Sequence, residues 1–279
     1  MIDGYKTLLV HFDTTPRAEV RLRLAARLAA DFEAHLQVSY SVLSPMYAEP
    51  FMADGGAYLA QELLKLQERR DREVHERFEK IAASLPVKAE WLVGEGDPVS
   101  ALLQNSRYAD LMVVGQHIVG QSNDTMPEFV PRLVLGAACP VLVGPYAGSH
   151  AEVGRRPLLA WNASRESARA AHAALPLLKR AEAVQVVSFD ARPGQGGHGE
   201  LPGADVATWL ARHGVKATIS TTRAHDVDAG NQILSRAADE SADLIVMGAY
   251  GHSRAFEFVM GGATRTVLQS MTVPVLFAH

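Results

Sequence analysis

The chain has little cysteine and no long apolar run. Among its 279 residues Cys139 is the only cysteine, so no internal disulfide can form and a reducing compartment is expected. No apolar run approaches the ~20 residues that a membrane-spanning helix needs. Residues 1–6 lack the basic and apolar regions of a secretory signal. These absences predict a cytoplasmic protein with no membrane partner.

The chain also lacks an excess of positive charge. Lys and Arg total 27 against 31 Asp and Glu, which gives a net charge of −4. A nucleic-acid-binding surface normally carries a basic stripe, so no nucleic-acid partner is predicted. Hydrophobic residues make up 48% of the chain, enough for the cores of two ordinary domains.

Common catalytic and metal-binding patterns are missing as well. The 11 histidines show no H-E-x-x-H spacing, and one cysteine cannot build a thiolate site, so no metal site is predicted. There is no G-x-S-x-G nucleophile turn and no G-x-x-x-x-G-K-[ST] phosphate loop. Ser164 and Ser167 are interpreted as helix-capping residues. The sequence therefore assigns no catalytic residue.

What the sequence does contain is an internal repeat. Blocks of the first half recur in the same order in the second: residues 9–15 with 158–164, 38–40 with 187–189, 109–115 with 242–248, and 140–143 with 274–277. The first half carries an extra segment at about residues 44–64. The repeats are assigned to residues 1–146 and 155–279, joined by a Gly-, Pro- and charge-rich linker over 144–157.

Each repeat alternates short apolar runs with segments of helical period. Continuous apolar strands separated by helices indicate a parallel sheet that is buried on both faces. The fold class is therefore predicted to be α/β, with two tandem doubly wound parallel-sheet domains. A Pro-Val-Leu segment closes each repeat, at Pro140 and Pro274.

A glycine-bounded loop follows one strand of the second repeat. Gly248 and Gly251 are followed by Gly261 and then by a helix-like run. Glycine permits close backbone approach to a ligand, and the start of a helix offers free N–H groups that suit phosphate. The carboxyl edge of a parallel sheet is also where open α/β folds bind ligands. This loop is the strongest candidate binding site in the sequence.

The loop spacing, the preceding strand and the closing Pro-Val-Leu strand resemble the universal stress protein (UspA) family in its tandem form. The family pattern is Gly, two residues, Gly, nine residues, then Gly followed by Ser or Thr. The resemblance covers nearly the whole chain and implies a Rossmann-like fold related to the adenine-nucleotide α-hydrolases. Family members commonly dimerise through the strand that closes each domain, so the resemblance also implies that the two closing strands of this chain pair across an internal pseudo-two-fold axis. Two positions depart from the pattern: Asn162 replaces an Asp in the turn after the first strand, and Gly262 replaces the Ser or Thr.

The resemblance implies ATP, with Mg²⁺, as the ligand of the second repeat. Residues expected around the nucleoside are Ala160, Trp161, Asn162 and Phe189. Residues expected around the ribose and phosphates are Met247, Gly248, Gly251, His252, Gly261, Gly262, Ala263 and Thr264. Thr264 could supply the hydroxyl that Gly262 lacks.

The first repeat keeps the pattern of the fold without that of the site. Asp13 is present, but Gln116, His117 and Ile118 follow Gly115 without a second glycine. A carboxylate and an aromatic ring, about Glu128 and Phe129, stand where phosphate would rest. A structural or partner-binding role is expected for this repeat.

The predicted function is a cytoplasmic universal stress protein that binds ATP or a related adenine nucleotide in its C-terminal repeat. The nucleotide would be a regulatory ligand with slow or no hydrolysis, because no lysine lies in the glycine loop to offset transferring charge. Two alternatives stay open: a nucleotide-free stress-response module that binds a protein partner, and an adenylating-type enzyme of the same fold superfamily. A homodimer of whole chains, the inducing stress and the protein partner are left open by the sequence.

Overall fold

The structure is a computed structural model that describes residues 4–42, 57–117, 126–150, 152–189, 201, 203–222, 228–250 and 262–279. The strands are β1 (Thr7–His11), β2 (His35–Val42), β3 (Ala89–Glu95), β4 (Leu111–Gly115), β5 (Val141–Gly144), β6 (Pro157–Ala160), β7 (Val184–Phe189), β8 (Ala217–Thr222), β9 (Leu244–Gly248) and β10 (Val275–Ala278). The helices are α1 (Arg17–Phe32), α2 (Ala57–Ala82), α3 (Pro98–Asn105), α4 (Phe129–Gly136), α5 (Arg165–Leu178), α6 (Ala204–Arg212), α7 (Ala229–Asp239) and α8 (Gly262–Ser270).

All ten strands form one sheet, in the order β3-β2-β1-β4-β5-β10-β9-β6-β7-β8. Each half is parallel within itself, as the apolar runs predict. The halves meet through an antiparallel pair, in which Leu276 of β10 lies opposite Leu142 of β5. The predicted pairing of the closing strands is therefore confirmed. Sharing the sheet also removes two exposed strand edges.

The helices cover both faces of the sheet. One apolar core lies between the sheet and α1, α2, α5 and α6, and the other between the sheet and α3, α4, α7 and α8. Successive side chains of a strand point to opposite faces, so Leu8 and Val10 enter the first core while Leu9 enters the second. This arrangement confirms the predicted doubly wound α/β class.

Side chains also join the repeats away from the paired strands. The amide nitrogen of Gln116, just after β4, donates to the carbonyl oxygens of Leu268 (2.7 Å) and Gln269 (3.2 Å) near the end of α8. The hydroxyl of Tyr5 donates to the carbonyl oxygen of Ala173 in α5, at 2.8 Å. The two bonds from Gln116 satisfy carbonyl groups that the end of α8 leaves open, and they hold α8 against the first repeat. The bond from Tyr5 links the first repeat to α5.

Polar caps set the starts of several helices. The Ser164 hydroxyl accepts from the Ser167 amide at the start of α5, which confirms the capping interpretation. Asp97 caps α3 and Asp228 caps α7 in the same way, at matching places of the two repeats.

The first repeat's added segment at residues 44–64 lies partly outside the described residues, and its last part is helical because α2 begins at Ala57. None of the helices in the described ranges combines the length and apolar character needed to cross a bilayer. Within the same ranges, no three His, Cys, Asp or Glu side chains come together as a metal site would require.

Candidate functional site

A cavity of about 290 Å³ lies at the carboxyl edge of the sheet in the second repeat. It opens where β6, β7 and β9 end, beside the point at which the strand order reverses around β6. Its lining residues are Ala160, Trp161, Asn162, Phe189, Ala229, Ile233, Met247, Gly248, Tyr250, Gly262, Ala263 and Thr264. Strand ends, α7 and the first turn of α8 together form its wall.

Every predicted site residue that the structure describes lines this one cavity. Gly251, His252 and Gly261, which were also predicted, lie outside the described residues. The sequence reasoning missed Ala229, Ile233 and Tyr250. Tyr250 stands between two of the predicted glycines, so its position was a usable signal, whereas the approach of α7 depends on tertiary packing.

The first turn of α8 faces the cavity through Gly262, Ala263 and Thr264. The N–H groups of a first helical turn have no partner within the helix, and together with the helix dipole they favour an anion. Thr264 is only 4% exposed, so its side chain belongs to the cavity wall rather than to the outer surface. This end of the cavity can donate hydrogen bonds to phosphate oxygens.

Another part of the cavity lining is aromatic and neutral. Trp161 directly follows β6, and Phe189 is the last residue of the adjacent strand β7. Flat rings of this kind can pack against a planar base. Asn162 turns its side-chain oxygen toward the Ser164 amide, at 3.2 Å, and Ala163 between them adopts φ 57°. The turn therefore presents an amide where a relative with Asp would present a carboxylate.

Gly248 is required by packing as well as by the cavity. A Cβ atom at this position would stand 2.4 Å from the backbone nitrogen of Ser167 and 2.5 Å from the carbonyl carbon of Glu166. Both atoms belong to the backbone of α5, which cannot move aside without displacing the helix. The absence of a side chain here thus brings α5 close to β9 whether or not a ligand is bound.

Tyr250 is buried, has an unusual backbone conformation, and carries a hydroxyl that has no hydrogen-bond partner among the described residues. It is 9% exposed and has φ 61°, a left-handed conformation that bulky residues rarely adopt. Among the described residues, its hydroxyl has no hydrogen-bond partner. Burial raises the pKa of Tyr250 to about 12, so the hydroxyl stays protonated near neutral pH.

The matching place in the first repeat carries an aromatic ring. Phe129 starts α4 where Gly262 starts α8, and its ring lies 4.9 Å from the imidazole of His11, centroid to centroid. Both side chains are buried, at 3% exposure each. Two clefts border His11: one of about 120 Å³ next to Tyr40, and one of about 280 Å³ that is lined in part by α1, Gly115 and Phe129. That Phe129 obstructs phosphate binding stays a prediction.

A buried ion pair closes the turn after β1. The Arg21 guanidinium lies 2.9 Å from an Asp13 carboxylate oxygen, and its Nε donates to the carbonyl oxygen of His11. Burial acts to raise the pKa of Asp13, but Arg21, His11 and the hydrogen bonds from Thr15 outweigh it and lower the pKa to about 2. Asp13 is therefore engaged within the protein.

Helix α2 completes the closure of the first repeat. Arg77 donates to the carbonyl oxygens of Asp13, Thr14 and Thr15, which holds the β1–α1 turn against the helix. Tyr40, the counterpart of Phe189, donates its hydroxyl to Asp71 of α2 at 2.7 Å. Helix α2 thus supplies groups that cover part of the sheet edge in this repeat.

A family model described as the universal stress protein family matches residues 4–145 and again 155–279. The chain belongs to the universal stress protein family. A search among curated proteins gave no match.

Solved structures, among them universal stress proteins, align with this universal stress protein, some over nearly its whole length and others over half of it. One from Archaeoglobus fulgidus DSM 4304 aligns with 98% of this chain and 97% of its own, at a TM-score of 0.72 and 16% identity. A protein of unknown function from Pseudomonas aeruginosa PAO1 aligns with 99% of this chain and 93% of its own, at 0.57 and 16%. A universal stress protein from Archaeoglobus fulgidus, solved in complex with dAMP, aligns with 51% of this chain and 98% of its own, at 0.30 and 21%.

Proposed function

We propose that this universal stress protein binds an adenine nucleotide in the cavity of its second repeat, as a regulatory ligand. The observation that carries the proposal is the convergence of two chemistries in one cavity of about 290 Å³. Aromatic rings, which suit a planar base, and the first turn of a helix, which suits a phosphate, both line it. A nucleotide contains both of these parts.

Each part of the wall has a role in this proposal. Trp161 and Phe189 pack against the base, and Asn162 and the end of β9 border the nucleoside. The amides at the start of α8 and the Thr264 hydroxyl donate to phosphate, with Gly251, His252 and Gly261 of the adjoining loop as further contacts implied by the family pattern. Any Mg²⁺ would be held through the phosphates.

Slow or absent hydrolysis follows from the chemistry of the wall. Among the described lining residues none carries a charged side chain that could act as a base or offset charge on a transferring phosphoryl group. In this proposal, the presence or absence of the nucleotide in the cavity is the regulatory signal. We place this activity in the cytoplasm, and a protein partner is expected to respond to the occupied or empty state.

Calorimetry on nucleotide-stripped protein, titrated with AMP and with Mg-ATP, tests the proposal. One site per chain is expected, with affinity weakened about tenfold or more by Phe189→Ala because the base loses an aromatic wall. The matched control is Tyr108→Ala, which removes a 77% exposed ring in the first repeat and leaves affinity unchanged.

Other outcomes count against specific parts of the proposal. Two sites per chain would mean that the first repeat also binds. No heat at millimolar ligand, with folded protein, would favour the nucleotide-free interaction module, which Asn162 and Gly262 motivate. Turnover above about 1 s⁻¹ would contradict the regulatory role and favour an enzyme.

A further inference from the structure

A carboxylate stands beside the phosphate end of the cavity. Asp228 caps α7 by accepting from the amides of Gly230 (3.0 Å) and Asn231 (3.4 Å) through Oδ2. Its other oxygen, Oδ1, lies 3.4 Å from the position that a Cβ atom at Gly262 would occupy. The negative charge of Asp228 therefore lies next to Gly262, the first residue of α8.

The close packing of α7 on α8 fixes this position. A Cβ atom at Gly230 would stand 2.6 Å from Cβ of Thr266 and 2.8 Å from the carbonyl oxygen of Ala263, so glycine lets the start of α7 touch α8. Asp228 is held at that contact by its two capping bonds. The carboxylate is thus part of the fixed geometry of the site.

The described cavity wall offers no compensating positive charge, since its lining side chains are all uncharged. In the part of the chain that the structure describes, the Asp228 carboxylate accepts hydrogen bonds only from the amides of its own helix. The corresponding Asp97 of the first repeat lies 3.4 Å from the Arg132 guanidinium of α4. Both repeats thus have the capping acid. Within the described residues, an arginine lies beside that acid only in the first repeat.

We propose, on the basis of the proposed function, that Asp228 makes the site selective for adenine ligands with little phosphate charge, the nucleoside and its monophosphate, over ATP. The helix start attracts the first phosphate, and the carboxylate repels each further negative charge that is added beside it. Because Asp228 is exposed, solvent and salt weaken this repulsion without removing it.

The test is calorimetry with adenosine, AMP and ATP on the full chain, each with and without Mg²⁺, using wild type, Asp228→Asn and Asp97→Asn. Asparagine also caps helices well, so melting temperatures should stay close to that of wild type. We expect wild type to bind AMP about tenfold more tightly than ATP. Asp228→Asn should strengthen ATP binding about fivefold at low salt, leave adenosine unchanged, and lose this gain at high salt. Asp97→Asn should change none of the three affinities.

Several outcomes overturn the inference, and they are separable from failure of the proposed function. Wild type that binds ATP as tightly as AMP, or an Asp228→Asn variant with unchanged ATP affinity, removes the selectivity while leaving nucleotide binding intact. A loss of Mg-ATP affinity in Asp228→Asn would mean that the carboxylate holds the cation, and it also overturns the inference. If none of the ligands binds any of the three proteins, the proposed function fails and the inference fails with it.

Discussion

The two repeats share a strand order and a polar turn after the first strand, yet they differ at the carboxyl edge of the sheet. In the first repeat Phe129 packs on His11, and Asp13 is paired with Arg21. The cleft beside the end of β2 there measures about 120 Å³, and a separate one against α1 measures about 280 Å³. In the second, Gly262 and Ala160 take the places of Phe129 and His11, and a cavity of about 290 Å³ remains. A few substitutions at strand and helix ends can therefore separate the fold from the site, because the apolar strand interiors that hold the sheet together are unaffected.

The two repeats also differ in whether the polar groups at this edge have hydrogen-bond partners within the described protein. The polar groups of the first repeat's turn bond to one another and to Arg77. In the second repeat, the first turn of α8 faces the cavity, and the buried Tyr250 hydroxyl has no partner among the described residues. Unused buried donors lower stability, so they are expected where a ligand can satisfy them.

The largest expected effect comes from breaking the ion pair that closes the first repeat. Arg21→Leu leaves the Asp13 carboxylate buried without its partner, which should lower the free energy of unfolding by roughly 3–5 kcal/mol. The control is Arg23→Leu, which removes a more exposed pair with Glu19 and should cost about 1 kcal/mol or less. Urea denaturation measures both. Equal losses in the two variants would contradict the structural role assigned to Arg21.

The comparison can be reversed by giving the second repeat the residue of the first. Gly262→Phe should place a ring in the cavity, and should weaken adenine-nucleotide binding about 100-fold or more, a change of about 3 kcal/mol. Gln269→Phe adds the same ring at an exposed position of α8 and should leave binding unchanged. Calorimetry gives the affinities. Retained binding in a folded Gly262→Phe protein would place the ligand outside the cavity.

Acid should affect the first repeat through Asp13. Its pKa in the folded protein is about 2, below the ordinary value of 3.8, so the stabilisation is present above about pH 4 and is lost as pH falls through 2. The loss from this one group is on the order of 2 kcal/mol. Unfolding should be measured between pH 5 and pH 2 for wild type and Asp13→Asn, which copies Asn162. An equally steep fall in both proteins would show that Asp13 does not contribute.

The smallest expected effect is a difference in the free energy of unfolding between variants of two buried tyrosines. Tyr5→Phe removes a hydroxyl that donates to Ala173 and should lower the free energy of unfolding by about 1 kcal/mol. Tyr250→Phe removes a hydroxyl with no partner in the described structure, so stability without ligand should stay the same or rise. Thermal and urea unfolding of both variants checks this. A clear loss of stability in Tyr250→Phe would mean that its hydroxyl is already bonded.

Much of the site was predictable because its residues follow strand ends that the repeat identifies. Trp161 and Asn162 could be matched to Phe12 and Asp13, and Gly262 to Phe129, by position alone. Ala229 and Ile233 could not, because their place in the wall depends on how closely α7 packs on α8 through Gly230. The covering of the first repeat's turn by Arg77 was also unpredictable, since that residue lies in α2, a helix of ordinary amphipathic character.

The sequence by itself determined the repeat and the parallel α/β class, because apolar periodicity is a local property of the chain. It also indicated which repeat keeps a glycine-bounded loop. The pairing of the closing strands was implied by the family resemblance, and the tertiary structure established it. Only the tertiary structure decided that Asp228 lies beside Gly262, that Tyr250 lines the cavity with a hydroxyl that has no partner among the described residues, and that Arg21 reaches Asp13. Those relations depend on distances between separate elements, which form only when helices pack on the sheet.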